Sequence, residues 1–218
     1  MDYQVISEKD QGMYDAINKG FAKSDGELML WLNSDDYLFP RAIQTVVELM
    51  KEDSDIKWVT GRKVYIDYES KIRKVGVFGS HYRGLIEKGF YRGKGLGYIM
   101  QETTFWKRDL YDRAGGYVSK EYRLASDYEL WVRFSRYETL YSLNTLLGAF
   151  RQHDTQLSSD NNGYEEECEK IKKLGFLKRI LLIIKYPFYI FTMMDNKNKI
   201  VINKSGTFEK VKSYGVFM

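Results

Sequence analysis

Residues 27–36 read Glu27-Leu28-Met29-Leu30-Trp31-Leu32-Asn33-Ser34-Asp35-Asp36, an apolar run that ends abruptly in two carboxylates. The apolar part is too short for a helix and is typical of a strand buried on both faces. Two adjacent carboxylates at the end of such a strand repel each other unless a cation joins them, which indicates a divalent metal site with oxygen ligands. Alternatively, one of the two carboxylates caps the helix that Pro40 begins.

Helices and strands alternate on both sides of this stretch. Met13, Ile17 and Phe21 recur at helical spacing before it, and a second helix follows Pro40. Another helix is predicted with Ser126 as its N-cap. Strands are predicted at residues 3–7, 27–32, 56–60, 63–66, 98–106, 139–143 and 146–151. The alternation predicts an α/β protein.

One segment interrupts this alternation. Residues 76–97 contain seven glycines and show no clear hydrophobic periodicity. Such a composition is typical of irregular structure. We expect a mobile surface segment here, in a position to act as a lid.

Composition restricts the class of protein. The 218 residues are 44% hydrophobic and 16% aromatic with two prolines, which excludes a disordered or collagen-like chain. The single cysteine, Cys168, fits a reducing compartment. The first residues lack the pattern of a secretion signal, so we expect a cytoplasmic protein.

Charge is distributed unevenly along the chain. Residues 170–218 carry 11 lysines and arginines against two acidic residues, a local charge of +9, so the preceding residues carry −5 of the total +4. An acidic body argues against a nucleic-acid-binding groove, which needs clustered basic residues. We expect one catalytic domain at residues 1–160 and a basic helical tail at residues 161–218.

The tail contains a candidate amphipathic helix. Residues 171–185 place apolar side chains on one helical side and most of the basic ones on the other. This pattern suits an anionic membrane surface, whereas the charges exclude a membrane-spanning helix. The protein would then be peripheral on the inner face of the membrane. Alternatively, the helix packs on the body with its lysines in solvent.

Several segments of the sequence resemble those of a known protein family. They comprise residues 7–20, 26–27, 32–36, 101–106, 115–117, 125–131 and 150–153. In this order they resemble the family-2 glycosyltransferases over residues 3–159. The resemblance implies the A-type glycosyltransferase fold, in which helices flank a Rossmann-like, mainly parallel mixed sheet that binds a nucleotide-diphospho-sugar donor. It also implies transfer of the sugar to an acceptor hydroxyl with inversion.

The resemblance assigns the donor side of the site. Asn33, Ser34 and Asp35 stand at the family's DxD motif, with Asn33 in place of its first aspartate. Asp35 and Asp36 would then hold Mn²⁺ or Mg²⁺ on the diphosphate.

Seven further positions follow from the same resemblance. They are Asp127 as general base, His153 as a metal or diphosphate contact, Gln101, Glu102 and Glu129 on the acceptor side, where Glu129 orients the site, and Asp10 and Asn18 at the nucleotide. Simpler roles remain open for some of them. Asp127 could simply stabilise the first turn of its helix, and Asn18 could belong to the C-terminal cap of its helix. Alternatively, His153 is an exposed loop residue, and one of Gln101 and Glu102 is a strand residue that faces solvent.

The family's usual first units have no counterpart in this sequence. They form a strand–helix–strand–helix stretch that holds the nucleotide base, and nothing before Tyr3 matches them. We therefore expect an N-terminally truncated sheet that self-associates or pairs with a partner chain.

The resemblance and the tail together suggest a saccharide or lipid-linked acceptor, in cell-surface polysaccharide or glycolipid synthesis. The alternative function is a non-catalytic remnant or docking module of a glycosyltransferase. A metal-dependent phosphohydrolase would need a nucleophile or a second metal cluster, and the sequence offers neither.

Overall fold

Helices flank two β-sheets in the computed structural model, which describes residues 4–93, 96–153, 161–173 and 198–211. The helices are α1 (Met13–Lys23), α2 (Ala42–Glu52), α3 (Arg83–Glu87), α4 (Arg108–Arg113), α5 (Ser126–Phe134) and α6 (Asn161–Ile171). The strands are β1 (Leu28–Met29), β2 (Tyr37–Leu38), β3 (Trp58–Thr60), β4 (Val64–Ile66), β5 (Ile72–Val75), β6 (Thr104–Lys107), β7 (Tyr141–Leu143), β8 (Gly148–Arg151), β9 (Lys199–Ile202) and β10 (Phe208–Lys210). The predicted α/β class is confirmed.

The larger sheet is mixed, with the strand order β1-β6-β3-β7-β9-β10. Its pairs β3/β7 and β7/β9 are parallel, whereas β1/β6, β3/β6 and β9/β10 are antiparallel. The expectation of a mainly parallel sheet is therefore wrong. The reason is β6, which inserts between β1 and β3 and runs opposite to both. The smaller sheet has the order β2-β8-β4-β5.

Strand β1 lies at one edge of the larger sheet and is shorter than predicted. Only Leu28 and Met29 pair, and Leu32 is 40% exposed. The expected packing on both faces is nevertheless found, because Met29 and Trp31 lie in one core cluster while Leu28 and Leu30, both half-buried, pack against another. At its edge, β1 has a paired neighbour on one side only among the described residues. A groove of about 370 Å³ runs beside it, lined by residues of α1 and β1 and by Arg108. The strand predicted at residues 3–7 is also absent from residues 4–7, where Val5 is 80% exposed.

The core below the sheet is built on tryptophans. Trp31, Trp58, Trp106 and Trp131 are at most 8% exposed and lie in one core cluster. Trp131 stacks on Trp58 and on Trp31, with ring centroids 5.6 and 6.2 Å apart. Aromatic stacking of this kind adds to the burial of large apolar surfaces. Helix α5, which carries Trp131, is thereby fixed to the sheet.

The glycine-rich segment is more ordered than its composition indicates. It contains α3, and Leu85, Ile86, Phe90 and Tyr91 are all less than 9% exposed in the core. The expectation of a mobile surface segment is wrong for this part. The four side chains have no sustained helical or strand periodicity, because two of them lie in the five-residue helix α3 and the other two in the irregular chain that follows it.

The chain after residue 160 contributes to the main sheet. Strands β9 and β10 form a hairpin, and β9 pairs in parallel with β7. The expectation of a helical tail did not include this hairpin, although Asn203-Lys204-Ser205-Gly206 is a turn sequence. The predicted amphipathic helix lies outside the described residues from residue 174 onwards. Within the described ranges, no helix is both long enough and apolar enough to cross a membrane.

Candidate active site

The two adjacent carboxylates sit in a tight turn between β1 and β2. The amide of Asp36 donates to the carbonyl of Asn33 at 3.1 Å, and Ser34 is exposed at the tip. The Asn33 side chain donates to the Asp36 carboxylate at 3.2 Å and to Gln101 Oε1 at 3.5 Å. The turn is thereby joined to the 3-10 helix Gln101–Thr103, which leads into β6.

Asp35 faces a histidine from the far end of β8. His153 Nε2 lies 3.0 Å from Asp35 Oδ2, although the two residues are 118 positions apart. The antiparallel pairing of β2 with β8 brings the turn and the strand end together. Arg151 Nε also donates to the Asp35 carbonyl at 2.6 Å. The structure thus brings together two residues that the sequence analysis assigns to the metal.

The Asp36 carboxylate is turned towards the protein. Its Oδ1 accepts a hydrogen bond from the backbone amide of Arg151 at 3.1 Å. Burial raises the pKa of Asp36 to about 6; the Arg151 amide opposes this shift and the Asp35 carboxylate adds to it. Asp35 is therefore the more accessible of the two for a ligand.

Gln101 and Glu102 are both buried, which rules out the solvent-facing alternative. The Gln101 side chain donates to the Trp31 carbonyl, and Glu102 is 3% exposed. In the described part of the chain, Glu102 Oε1 has no hydrogen-bond partner. Burial, with a further contribution from the Asp36 carboxylate, raises the pKa of Glu102 to about 8. Glu102 is therefore mostly protonated at neutral pH, which lowers the cost of burying it.

Asp127 stands in the first turn of α5. The Tyr164 hydroxyl from α6 donates to its Oδ1 at 3.4 Å. Burial raises the pKa of Asp127 to about 7, against the opposing hydrogen bonds from the Tyr128 amide and Tyr164. The carboxyl is thus poised near neutrality, where a side chain both accepts and releases protons readily.

The helix does not begin as predicted, because α5 starts at Ser126 and its N-cap residue is Ala125. Ser126 Oγ donates instead to the carbonyls of Ser119 and Tyr122, at 2.7 and 3.2 Å. The Ser126 side chain therefore fixes the preceding loop and does not cap the helix.

Glu129 is held by an arginine on its own helix. Arg133 donates three hydrogen bonds to its carboxylate at 2.8 to 3.0 Å. The same guanidinium donates to the carbonyls of Ala114 and Tyr117 and lies 4.3 Å from the centre of the Tyr117 ring. Glu129 therefore orients the loop that follows α4.

Asp10 and Asn18 hold α1 in place. Asp10 accepts the amide of Gly12 at 2.8 Å just before the helix. Asn18 donates to the carbonyls of Tyr14 and Val118, both at 2.7 Å, and accepts the Val118 amide at 2.7 Å. Within the described ranges, neither side chain makes a hydrogen bond to Asp35 or Asp36.

We expect Asn18→Ala to lower the free energy of unfolding by about 2 to 3 kcal/mol, because it leaves buried groups of Val118 unpaired. Urea denaturation of both chains measures the difference. Asn144→Ala is the matched control and should change it by less than about 0.5 kcal/mol. A loss at position 18 no larger than in the control would contradict the structural role.

Sequence reasoning missed two residues of the site. Arg151 was part of the quoted resemblance but had no role, and it contacts both aspartates of the turn. Tyr164 lies ahead of the acidic run Glu165-Glu166-Glu167, which reads as a solvated helix face. No local pattern indicates that this face turns towards Asp127.

The side chains at this site determine whether a divalent cation could bind here. Among the described residues, no group of three or more His, Cys, Asp or Glu side chains is arranged to hold a metal. The described residues alone therefore do not supply a complete set of metal ligands. The pair Asp35–His153 offers one carboxylate and one imidazole, which fits a cation that takes its other ligands from phosphate and water.

Comparisons with known proteins show which family this chain resembles. The family model described as Glycosyl transferase family 2 matches residues 2–114, just over half of the chain. An uncharacterized glycosyltransferase of Haemophilus influenzae is 25% identical over 220 residues, covering 91% of this chain and 65% of the relative. One of Rickettsia typhi is 26% identical over 185 residues, covering 78% of this chain and 53% of the relative. The chain thus spans between half and two thirds of the length of these relatives.

A solved structure shares the fold. It is S. aureus TarS 1-349 in complex with UDP-GlcNAc, with a TM-score of 0.54 and 12% sequence identity. The match covers 86% of this chain and 55% of that one. At this identity the likeness concerns the fold alone, which is the mixed α/β architecture of the A-type fold.

Proposed function

This chain belongs to glycosyl transferase family 2, and we propose that it transfers a sugar from a nucleotide diphosphate donor to an acceptor hydroxyl with inversion. The observation that carries the proposal is Asp127, a carboxyl with a pKa near 7 on a helix fixed to the core. The UDP-GlcNAc bound to TarS supports a nucleotide-sugar donor.

Asp127 is the general base in this proposal. Its carboxylate takes the proton of the acceptor hydroxyl, whose oxygen then forms a bond to the anomeric carbon. The bond from that carbon to the diphosphate breaks, and its electron pair leaves with the nucleoside diphosphate. Attack opposite the leaving group inverts the anomeric configuration.

The donor diphosphate would lie at the turn that carries Asp35. Asp35 and His153 would hold Mn²⁺ or Mg²⁺ there, and the bound cation would offset the charge that develops on the leaving diphosphate. Asp36 accepts a hydrogen bond from the Arg151 amide, so it would stabilise the turn that carries Asp35 and add negative charge next to the cation. Glu102, being protonated near pH 7, offers a hydrogen-bond donor on the acceptor side.

A saccharide or lipid-linked acceptor, used in polysaccharide or glycolipid synthesis, belongs to the same proposal. So does a cytoplasmic location at the inner face of the membrane. The +9 charge of residues 170–218 supports an anionic surface as partner, and the single buried Cys168 supports a reducing compartment.

Calorimetry tests the donor site directly. We would titrate UDP, GDP and their common sugar conjugates into the chain, with and without Mn²⁺. We expect binding that requires the metal and weakens at least about tenfold in Asp35→Ala, because the variant loses a charged ligand. Asp25→Ala, at an exposed position, should bind as the unaltered chain does.

Equal binding by Asp35→Ala would contradict the donor site. Absence of binding by a chain that melts cooperatively would favour the docking-module alternative over the transferase.

A further inference from the structure

Helix α6 holds the segment that leads into α5. The Glu167 carboxylate accepts hydrogen bonds from three successive backbone amides, those of Arg123, Leu124 and Ala125, at 2.9, 2.8 and 2.9 Å. Ala125 is the N-cap residue of α5 and its own side chain cannot cap the helix. A charged acceptor from another helix therefore fixes this segment, and hydrogen bonds to a charged group are the stronger kind.

The same helix reaches the Asp127 side chain. Tyr164, one turn before Glu167, donates to Asp127 Oδ1 at 3.4 Å. Burial raises the pKa of Tyr164 well above its usual value, so the hydroxyl stays a donor. Cys168 packs against Ala125, Tyr128 and other apolar side chains of α5. Both the backbone before Asp127 and its carboxyl are thus held from α6.

Helix α6 is in turn anchored on its other side. Arg92, only 9% exposed, donates to Glu169 at 2.6 Å, and the ring of Tyr98 lies 5.5 Å from that of Tyr164. The position of Glu167 is therefore fixed independently of α5.

We propose that Glu167 is a positioning residue, which orients the Asp127 carboxylate by holding the three amides in front of α5. The inference rests on the proposed function, in which Asp127 is the base. Glu167 itself touches neither donor nor acceptor in this proposal. Its loss would let the first turn of α5 shift, and displacement of a reacting group by about 1 Å costs on the order of 100-fold in rate.

Several titratable groups influence the pKa of Asp127. This pKa can therefore be used to detect a change in its surroundings. The groups are Tyr14 from α1, Tyr98 directly after the glycine-rich segment, Glu102 beside β6, and Tyr164, Glu167 and Cys168 from α6. Glu167 raises the pKa of Asp127 through its negative charge. Removing Glu167 takes away this charge and admits water, and both changes lower that pKa.

The test compares Glu167→Ala, Glu167→Gln and the matched control Glu166→Gln, an exposed neighbour on the same helix. Three readouts are used: the pKa of Asp127 by carboxylate NMR, amide exchange at residues 123–125, and kcat with KM. We expect Glu167→Ala to lower the Asp127 pKa, speed the exchange, and reduce kcat about 10- to 100-fold with little change in KM for the donor.

Glu167→Gln keeps one acceptor oxygen, so it should recover part of the lost kcat and exchange protection. Glu166→Gln should match the unaltered chain. If Glu167→Ala does not fold, the glutamine variant decides alone. Unchanged pKa and exchange in the Glu167 variants would overturn the inference. If Asp127→Asn retained transfer activity, the proposed function would fail instead, and the NMR and exchange readouts would still decide whether Glu167 orients the carboxyl.

Discussion

Asp127→Asn is expected to lower kcat by about 100- to 10,000-fold, the usual contribution of a general base. Asparagine has nearly the same shape but cannot take a proton from the acceptor hydroxyl. Release of nucleoside diphosphate together with sugar transfer, measured at pH 8, checks the loss. Asp112→Asn, an exposed change in the helix before α5, is the control and should stay within about twofold.

The same residue predicts a pH profile. The base must be ionised, and the pKa of Asp127 is raised to about 7. The rate should therefore fall as pH decreases through about 7 and level off above it. An acidic limb near pH 4, or a variant that retains most of its activity, would show that another group accepts the proton.

Glu102→Gln is expected to raise the free energy of unfolding by about 3 kcal/mol at pH 8 and to leave it nearly unchanged at pH 4. The pKa of Glu102 is raised to about 8 in the folded chain, so folding favours its protonated form. Between pH 4.5 and 8 the folded state binds this proton more tightly than the unfolded state. The free energy of unfolding therefore falls as pH rises through this window, and glutamine removes that loss.

Urea denaturation at pH 4 and pH 8 measures this effect. Asp36 and Asp127, whose pKa values are also raised, keep part of the pH dependence in the variant. Glu87→Gln, at an exposed position of α3, is the control and should leave both values unchanged. A variant that is less stable than the unaltered chain at pH 8 would mean that the Glu102 carboxylate has a stabilising partner when ionised.

Local patterns were enough for α1, α2 and the presence of α5, and for the order of most strands, but not for α3, which lies in the segment expected to be irregular. The spacing of Met13, Ile17 and Phe21 predicted α1, which spans Met13–Lys23. The length of β1 was overestimated because strand length depends on the neighbouring strands, and β6 is the one strand that pairs with β1 in the described part of the chain. The β9–β10 hairpin was missed for the same reason, since its partner β7 lies far away in sequence.

Part of the site was predictable from the sequence. The adjacent carboxylates alone indicated Asp35, and the resemblance added His153, although no spacing rule indicates their contact across 118 positions. The resemblance reached no further. It did not reach Tyr164 and Glu167, because an acidic helix in solvent and one that binds backbone amides have the same sequence pattern. Buried polar contacts of this kind depend on how α6 packs, which is a property of the folded chain.

The parallel pairing of β7 with β9 has a consequence for the order of folding. Ser142 pairs beside Lys199, so the two strands come from distant parts of the chain. During synthesis, β7 emerges from the ribosome well before β9, and domains fold as their residues become available. Until β9 arrives, the backbone of β7 is open on that side and can pair with another chain. Closure of a long loop is also slow compared with local helix formation. Nascent chains are therefore most prone to aggregation in the interval between the emergence of β7 and that of β9, and slower translation across this interval would lengthen that exposure.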